Sequence, residues 1–174
     1  MITIISGTNS NKSISLQLAD IYHDYLQSKG LTSQVLDLRE MPTDIIGPNM
    51  YHDRPASFVA FQEQYLVPAD KFVVVLPEYN GGIPGIFKLM LDVSDIERCY
   101  YGKKACITGL SAGRAGNARG LDTLTNIFHY LRMGVFHFKL PISRSFSLMD
   151  ENQKFTHQPT IELMKEQMDQ FVAF

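Results

Sequence analysis

Lys71-Phe72-Val73-Val74-Val75-Leu76, running directly into Pro77-Glu78-Tyr79-Asn80-Gly81-Gly82-Ile83-Pro84-Gly85, decides how this sequence is read. Five consecutive apolar residues lack the in–out alternation of a half-exposed strand. They suit a strand covered on both faces, as in the middle of a parallel sheet. Pro77 stiffens the exit from that strand, and the adjacent glycines allow close backbone approach. A helix is expected next, over residues 85–96.

The same alternation of strand and helix extends in both directions. Upstream, Ile2–Ser6 reads as a buried strand. A helix is expected over 13–29, with Ile14, Leu18, Ile21 and Tyr25 as its apolar stripe and Gly30 as its stop. A strand over 33–38, a long loop over 41–55 rich in Pro, Gly, Asn and Asp, and a helix over 56–66 follow. Downstream come a strand over 104–108, a Gly-rich turn over 109–116, a helix over 117–133, a strand over 135–140 and a final helix over 160–172. Five strands alternating with helices imply an α/β three-layer sandwich with a five-stranded parallel sheet and helices on both faces. The flavodoxin-like order 2-1-3-4-5 is the natural candidate, with a ligand crevice at the carboxyl ends of strands one and three.

Bulk properties agree with one such domain spanning 1–174. A chain of 174 residues can bury roughly 70% of its unfolded surface, so it needs neither disulfides nor a structural metal. Cys99 and Cys106 lack C-x-x-C spacing and are expected to be reduced thiols, with a disulfide between them left open. Sixteen basic against 18 acidic residues, a net charge of -2, leave no basic footprint for nucleic acid. The longest apolar runs are strand-length, so no membrane span is expected. The amino-terminal Met1-Ile2-Thr3-Ile4-Ile5 has no basic leader, which points to the cytoplasm. His23, His52, His129 and His137 show no metal-ligand spacing, and no metal site is expected.

In a parallel sheet every loop leaving a strand's carboxyl end lies on one rim. Three such loops are rich in Gly, Ser and Asn. The first, residues 6–13, opens a helix whose free N–H groups and dipole favour an anion, and Thr8, Ser10, Ser13 and Ser15 add hydroxyls. Lys12 adds charge. The bland alternative is an ordinary helix cap. In the second, Tyr79 offers an apolar plane with a polar tip. The third, residues 109–116, presents N–H groups for carbonyl oxygens or developing negative charge. Its Gly109-Leu110-Ser111-Ala112-Gly113 also matches the hydrolase pattern G-x-S-x-G, with Asp150 and His157 following in the appropriate order. Against a hydrolase, residues 114–117 intervene before the helix.

The string Pro77-Glu78-Tyr79-Asn80-Gly81-Gly82-Ile83-Pro84-Gly85-Ile86-Phe87-Lys88 after that strand resembles the signature of the NADPH-dependent FMN reductase family, which includes quinone, azo and chromate reductases. The resemblance implies an NAD(P)H-dependent enzyme. It passes hydride to bound FMN and then to a small acceptor: a quinone, azo compound, free flavin or metal oxyanion. It implies that Thr8, Ser10, Ser13, Ile14 and Ser15 surround the FMN phosphate. Pro77, Glu78, Tyr79, Asn80 and Gly81 border the flavin ring and ribityl chain. Ser111, Ala112 and Gly113 face the ring's pyrimidine edge. No catalytic side chain is called for, because the cofactor carries the chemistry, with NADPH or NADH as donor. A homodimer or homotetramer is implied by resemblance alone. Two positions depart from the family: Ser10 stands where its first loop has arginine, and Ser15 where it has asparagine. A flavodoxin-like electron carrier, or a binding module without flavin, is the alternative.

Overall fold

The computed structural model describes residues 1–48 and 50–174. Its sheet is parallel throughout and runs β2-β1-β3-β4-β5, the order expected. The strands are β1 (Ile2–Ser6), β2 (Ser33–Asp37), β3 (Lys71–Pro77), β4 (Lys104–Leu110) and β5 (Gly134–Val135). A further strand, β6 (Leu140–Ile142), pairs with the other end of β4.

β3 sits at the centre because its side chains are apolar in both directions. Val73 and Val75 join Ile4, Cys106 and the buried faces of α1 (Ile14–Ser28) and α6 (Gln158–Ala173). Phe72, Val74 and Leu76 point the other way. They pack with α2 (Ala56–Tyr65), α3 (Gly85–Val93), α4 (Ile96–Tyr100) and α5 (Ala118–Tyr130). All five β3 residues from Phe72 to Leu76 are at most 1% exposed. Each such burial stabilises the fold by roughly 1.5–3 kcal/mol. Cys99 and Cys106 fall in opposite layers as free, buried thiols, so they do not pair.

Four expected boundaries shift. The helix expected over 85–96 ends at Val93. There the Ser94 hydroxyl donates to the Met90 carbonyl at 2.6 Å, and Asp95 caps a new helix by accepting from the Arg98 N–H at 3.3 Å. The helix expected over 117–133 spans only Ala118–Tyr130. The strand expected over 135–140 is broken into β5 and β6, because the Phe138 carbonyl accepts from the buried Gln167 amide of α6 at 2.7 Å. The last helix starts at Gln158, with Pro159 in its first turn, where the missing N–H costs nothing. The stripe on α1 also rotates. Ile14, Leu18, Tyr22 and Leu26 are buried, while Ile21 and Tyr25 lie half-buried at its edge. Within the 41–55 segment one helical turn spans Thr43–Ile45; Asn49 lies outside the described residues.

One buried polar cluster ties the layers together. The Tyr22 hydroxyl on α1 donates to Gln167 Oε1 on α6 at 2.6 Å and lies 2.7 Å from the Thr108 hydroxyl on β4. Tyr22→Phe is expected to cost about 1–2 kcal/mol, read as a lower denaturant midpoint at unchanged slope.

Burial also sets the alkaline limit of the fold. It pushes Cys99 up to about 12 and raises Cys106, Tyr22 and Tyr100. Tyr65 rises to about 12 through burial and its hydrogen bond to Glu40. The folded chain therefore holds protons that the unfolded chain releases from about pH 9 for cysteine and 10 for tyrosine. Denaturant stability is expected to be insensitive to these groups below about pH 9 and to fall steadily from there to about pH 12.

Candidate functional site

The first rim loop is pressed against the central strand. Gly7 donates its N–H to the Val75 carbonyl at 2.9 Å. A Cβ at Gly7 would lie 2.2 Å from Leu76 Cδ2, so no side chain fits without movement. Beyond it, Thr8 Oγ1 accepts from the Ser10 N–H at 3.2 Å and lies 2.7 Å from the Tyr79 hydroxyl. Ser13 caps α1 by accepting from the Leu16 N–H at 3.1 Å. Ser15 is 1% exposed, and its hydroxyl has no hydrogen-bond partner among the described residues. An orphaned buried hydroxyl costs about 1–3 kcal/mol unless something completes it.

The second loop reverses tightly. Tyr79 and Gly82 exchange N–H···O bonds of 3.1 and 3.0 Å, and Asn80 and Gly81 take φ of 51° and 74°. This is the type I′ turn that Asn-Gly favours, since both central residues need positive φ. Asn80 and Gly81 thus form the tip that holds Tyr79 against Thr8. The third loop is closed by Ser111, whose hydroxyl donates to the Gly113 carbonyl at 3.0 Å and accepts from the Gly116 N–H at 2.9 Å. The segment after β6 locks onto it: Arg144 donates to the Gly113 carbonyl at 2.7 Å and Ser145 to the Ser111 carbonyl at 3.0 Å. Between the loops, Asn117 is wholly buried and donates to the Leu76 carbonyl at 3.1 Å, fixing the start of α5 to the end of β3.

These loops enclose a cavity of about 220 Å³. Ten residues singled out from sequence line it: Thr8, Ser10, Ser13, Ile14 and Ser15 from the first loop, Pro77, Glu78 and Tyr79 from the second, Ser111 and Ala112 from the third. Asn80, Gly81 and Gly113 do not line it. Lys12, Leu110, Ser145 and Phe146 complete the wall. Ser145 and Phe146 escaped the sequence reading, although the segment leaving the fifth strand position reaches the same rim as the other three. Their signal was positional, without a glycine-rich string. Lys12 and Glu78 are the only charged residues among the described lining.

The sequence profile of the NADPH-dependent FMN reductase family matches residues 1–144. The chain belongs to that family. It is similar to a 2-hydroxy-1,4-benzoquinone reductase from Burkholderia sp., 25% identical over 99% of this chain and 94% of the relative. It is also similar to an NAD(P)H-dependent FMN reductase from Pseudomonas aeruginosa, 28% identical over 72% of each chain. In fold it resembles the flavoenzyme NAD(P)H:(acceptor) oxidoreductase FerB from Paracoccus denitrificans, with TM-score 0.80, 19% identity, and coverage of 99% and 94%.

This FMN reductase family member is therefore an NAD(P)H-dependent flavin oxidoreductase with FMN as cofactor, and a pure electron carrier is set aside. The cavity fits the cofactor's chemistry. The first turn of α1 supplies N–H groups for a phosphate, and the partnerless Ser15 hydroxyl waits on the same wall. The hydrolase alternative fails on geometry. The Ser111 hydroxyl is spent inside its own loop, Asp150 Oδ1 accepts from the Asn152 and Lys154 N–H groups, and the His157 ring faces Thr160 at 2.9 Å. Among the described residues no group of three or more His, Cys, Asp and Glu side chains could hold a metal. No helix among them is long and apolar enough to cross a membrane.

Gly7→Ala is expected to push the first loop off β3 and cost about 1–3 kcal/mol by overpacking, measured as a shift in denaturant midpoint.

Proposed function

We propose that the whole chain, as one domain over 1–174, is a quinone-class reductase that holds FMN along the rim. The phosphate lies at Thr8, Ser10, Ser13, Ile14 and Ser15. The flat ring lies between Tyr79 and the Ser111-Ala112 turn, bordered by Pro77 and Glu78. Asn80 and Gly81 serve the site through the turn that presents Tyr79, and Gly113 serves it by accepting the Arg144 N–H.

One observation carries this reading: a buried hydroxyl with no partner, Ser15 Oγ, on the cavity wall in the first turn of α1. A phosphate oxygen supplies the acceptor it lacks. Ser13 Oγ accepts from the Leu16 N–H and keeps its own O–H, so Ser13, Ser15 and the first N–H groups of α1 are the donors on this wall. Lys12 provides the positive charge where the family's arginine is replaced by Ser10.

When bound, FMN takes a hydride from the reduced nicotinamide and delivers two electrons to the acceptor. The protein's own part is binding, orientation and charge. The Thr8–Tyr79 hydrogen bond keeps the tyrosine plane fixed over the cavity, so a flat molecule meets a preset surface. The third loop directs backbone dipoles to the rim, where they favour negative charge. The Burkholderia relative named for a benzoquinone supports a quinone as the acceptor class. The same reading places the protein in the cytoplasm as a homodimer or homotetramer. Support for assembly is the partly apolar surface where α3, α4 and α5 meet around Leu91, Ile127 and the 82%-exposed Tyr130.

Titration with FMN and with riboflavin, followed by flavin fluorescence, tests the site. FMN is expected to bind more tightly than riboflavin. Ser15→Ala is expected to weaken FMN about ten-fold and to leave riboflavin unchanged, since a hydrogen bond to a charged group is worth about 1.5–3 kcal/mol. If the FMN-loaded protein oxidises neither NADPH nor NADH in the presence of a benzoquinone, the reading is wrong.

A further inference from the structure

A second cavity, about 570 Å³, opens beside the first and shares Lys12, Ser13, Ile14 and Phe146 with it. Its outer wall is the segment that follows β6. That segment folds back as a narrow hairpin: Met149 bridges Phe155, and Asp150 donates its N–H to the Lys154 carbonyl at 2.8 Å. Gln17 of α1 ties the hairpin down from the opposite side, donating to the Gln153 carbonyl at 3.0 Å and accepting from the Phe155 N–H at 2.9 Å. Both walls are thus braced, and the space is a formed cavity of ligand size rather than a gap between loose loops.

The lining has two chemistries. Ile14, Leu16, Met149 and Phe146 give an apolar side, and Phe146 is 69% exposed with its ring facing no aromatic neighbour among the described residues. Lys12, Asp150 and the amides of Asn11, Gln17 and Gln153 give a polar side. Asp150 is held by two backbone N–H groups, at 2.9 Å each, that both fall on Oδ1. Oδ2 keeps its acceptor capacity and has no donor among the described residues.

The donor of this family is a dinucleotide. Only its nicotinamide half reacts, so the adenosine half needs a place within reach of the cofactor cavity. From the shared wall, the volume and the paired chemistries, we infer that the second cavity receives the adenosine half of the reduced nicotinamide donor. The base lies along Phe146 and Met149. Asp150 Oδ2 accepts a ribose hydroxyl. This rests on the nicotinamide-dependent reading of the first cavity and adds a residue, Asp150, that does not touch that cavity.

Reduced nicotinamide mononucleotide, which lacks the adenosine half, separates the two. The experiment measures steady-state KM for NADH, NADPH and the mononucleotide on FMN-loaded protein with a benzoquinone. In the wild type, the preferred dinucleotide is expected to have a KM about ten-fold below that of the mononucleotide. Asp150→Asn keeps the turn-capping oxygen. It is expected to raise the dinucleotide KM about five-fold, with the mononucleotide KM, kcat and FMN affinity unmoved. Met149→Trp, which fills the cavity, is expected to do the same more strongly. Equal wild-type KM values for mononucleotide and dinucleotide overturn the inference and leave the reductase reading intact. So do variants that raise both KM values together, or an effect found instead with Arg39→Ala in the separate cavity beside β2. A wild type that oxidises none of the three donors ends both.

Discussion

Every strand in the sheet runs the same way, and that single direction delivers each loop leaving a carboxyl end to one rim. The direction is held by β3, which is apolar on both faces and must be covered on both. Helices that cross over between parallel strands cover both. The rim cavity is thus a consequence of where the apolar residues sit. Four segments that are far apart in the chain meet there because the hydrophobic layers leave no other path for their strands.

Within the rim, the shape of the cavity depends on close backbone approaches and a few hydrogen bonds. Gly7 lets the first loop lie directly on Leu76, and Asn117 straps the same β3 end to α5. The type I′ turn at Asn80 and Gly81 aims Tyr79 back at Thr8. Ser111 spends its hydroxyl on loop closure, which makes the third loop a rigid shelf and removes the serine from nucleophilic duty. Two polar atoms left unspent on the cavity walls are informative: a hydroxyl at Ser15 in the first and a carboxylate oxygen at Asp150 in the second. Both are polar atoms in prepared positions, and preparation lowers the ordering cost of binding.

Much of this was legible beforehand. The apolar run of β3, the Ser and Asn residues before α1 and the Asn-Gly pair are local signals with local causes, and ten of the residues they pointed to line one cavity. Less visible were features whose cause lies across the molecule. The fifth strand breaks because Gln167, nearly thirty residues later, takes the Phe138 carbonyl. The stripe on α1 turns to Tyr22 because its hydroxyl finds Thr108 and Gln167. Phe146 drew no reading, since nothing near it in sequence announces a rim position.

The sequence alone determined the layers and the three glycine-rich rim loops, because period, β-branching and turn residues act over a few neighbours; the strand order was an inference from where those loops fall, and the structure supplied it. Only the tertiary structure decided which polar atoms were left without partners and that a fourth segment closes the site. It also decided that a second cavity adjoins the first. Satisfaction of a hydrogen bond and the volume between two walls are properties of residues distant in the chain, and no local pattern encodes them.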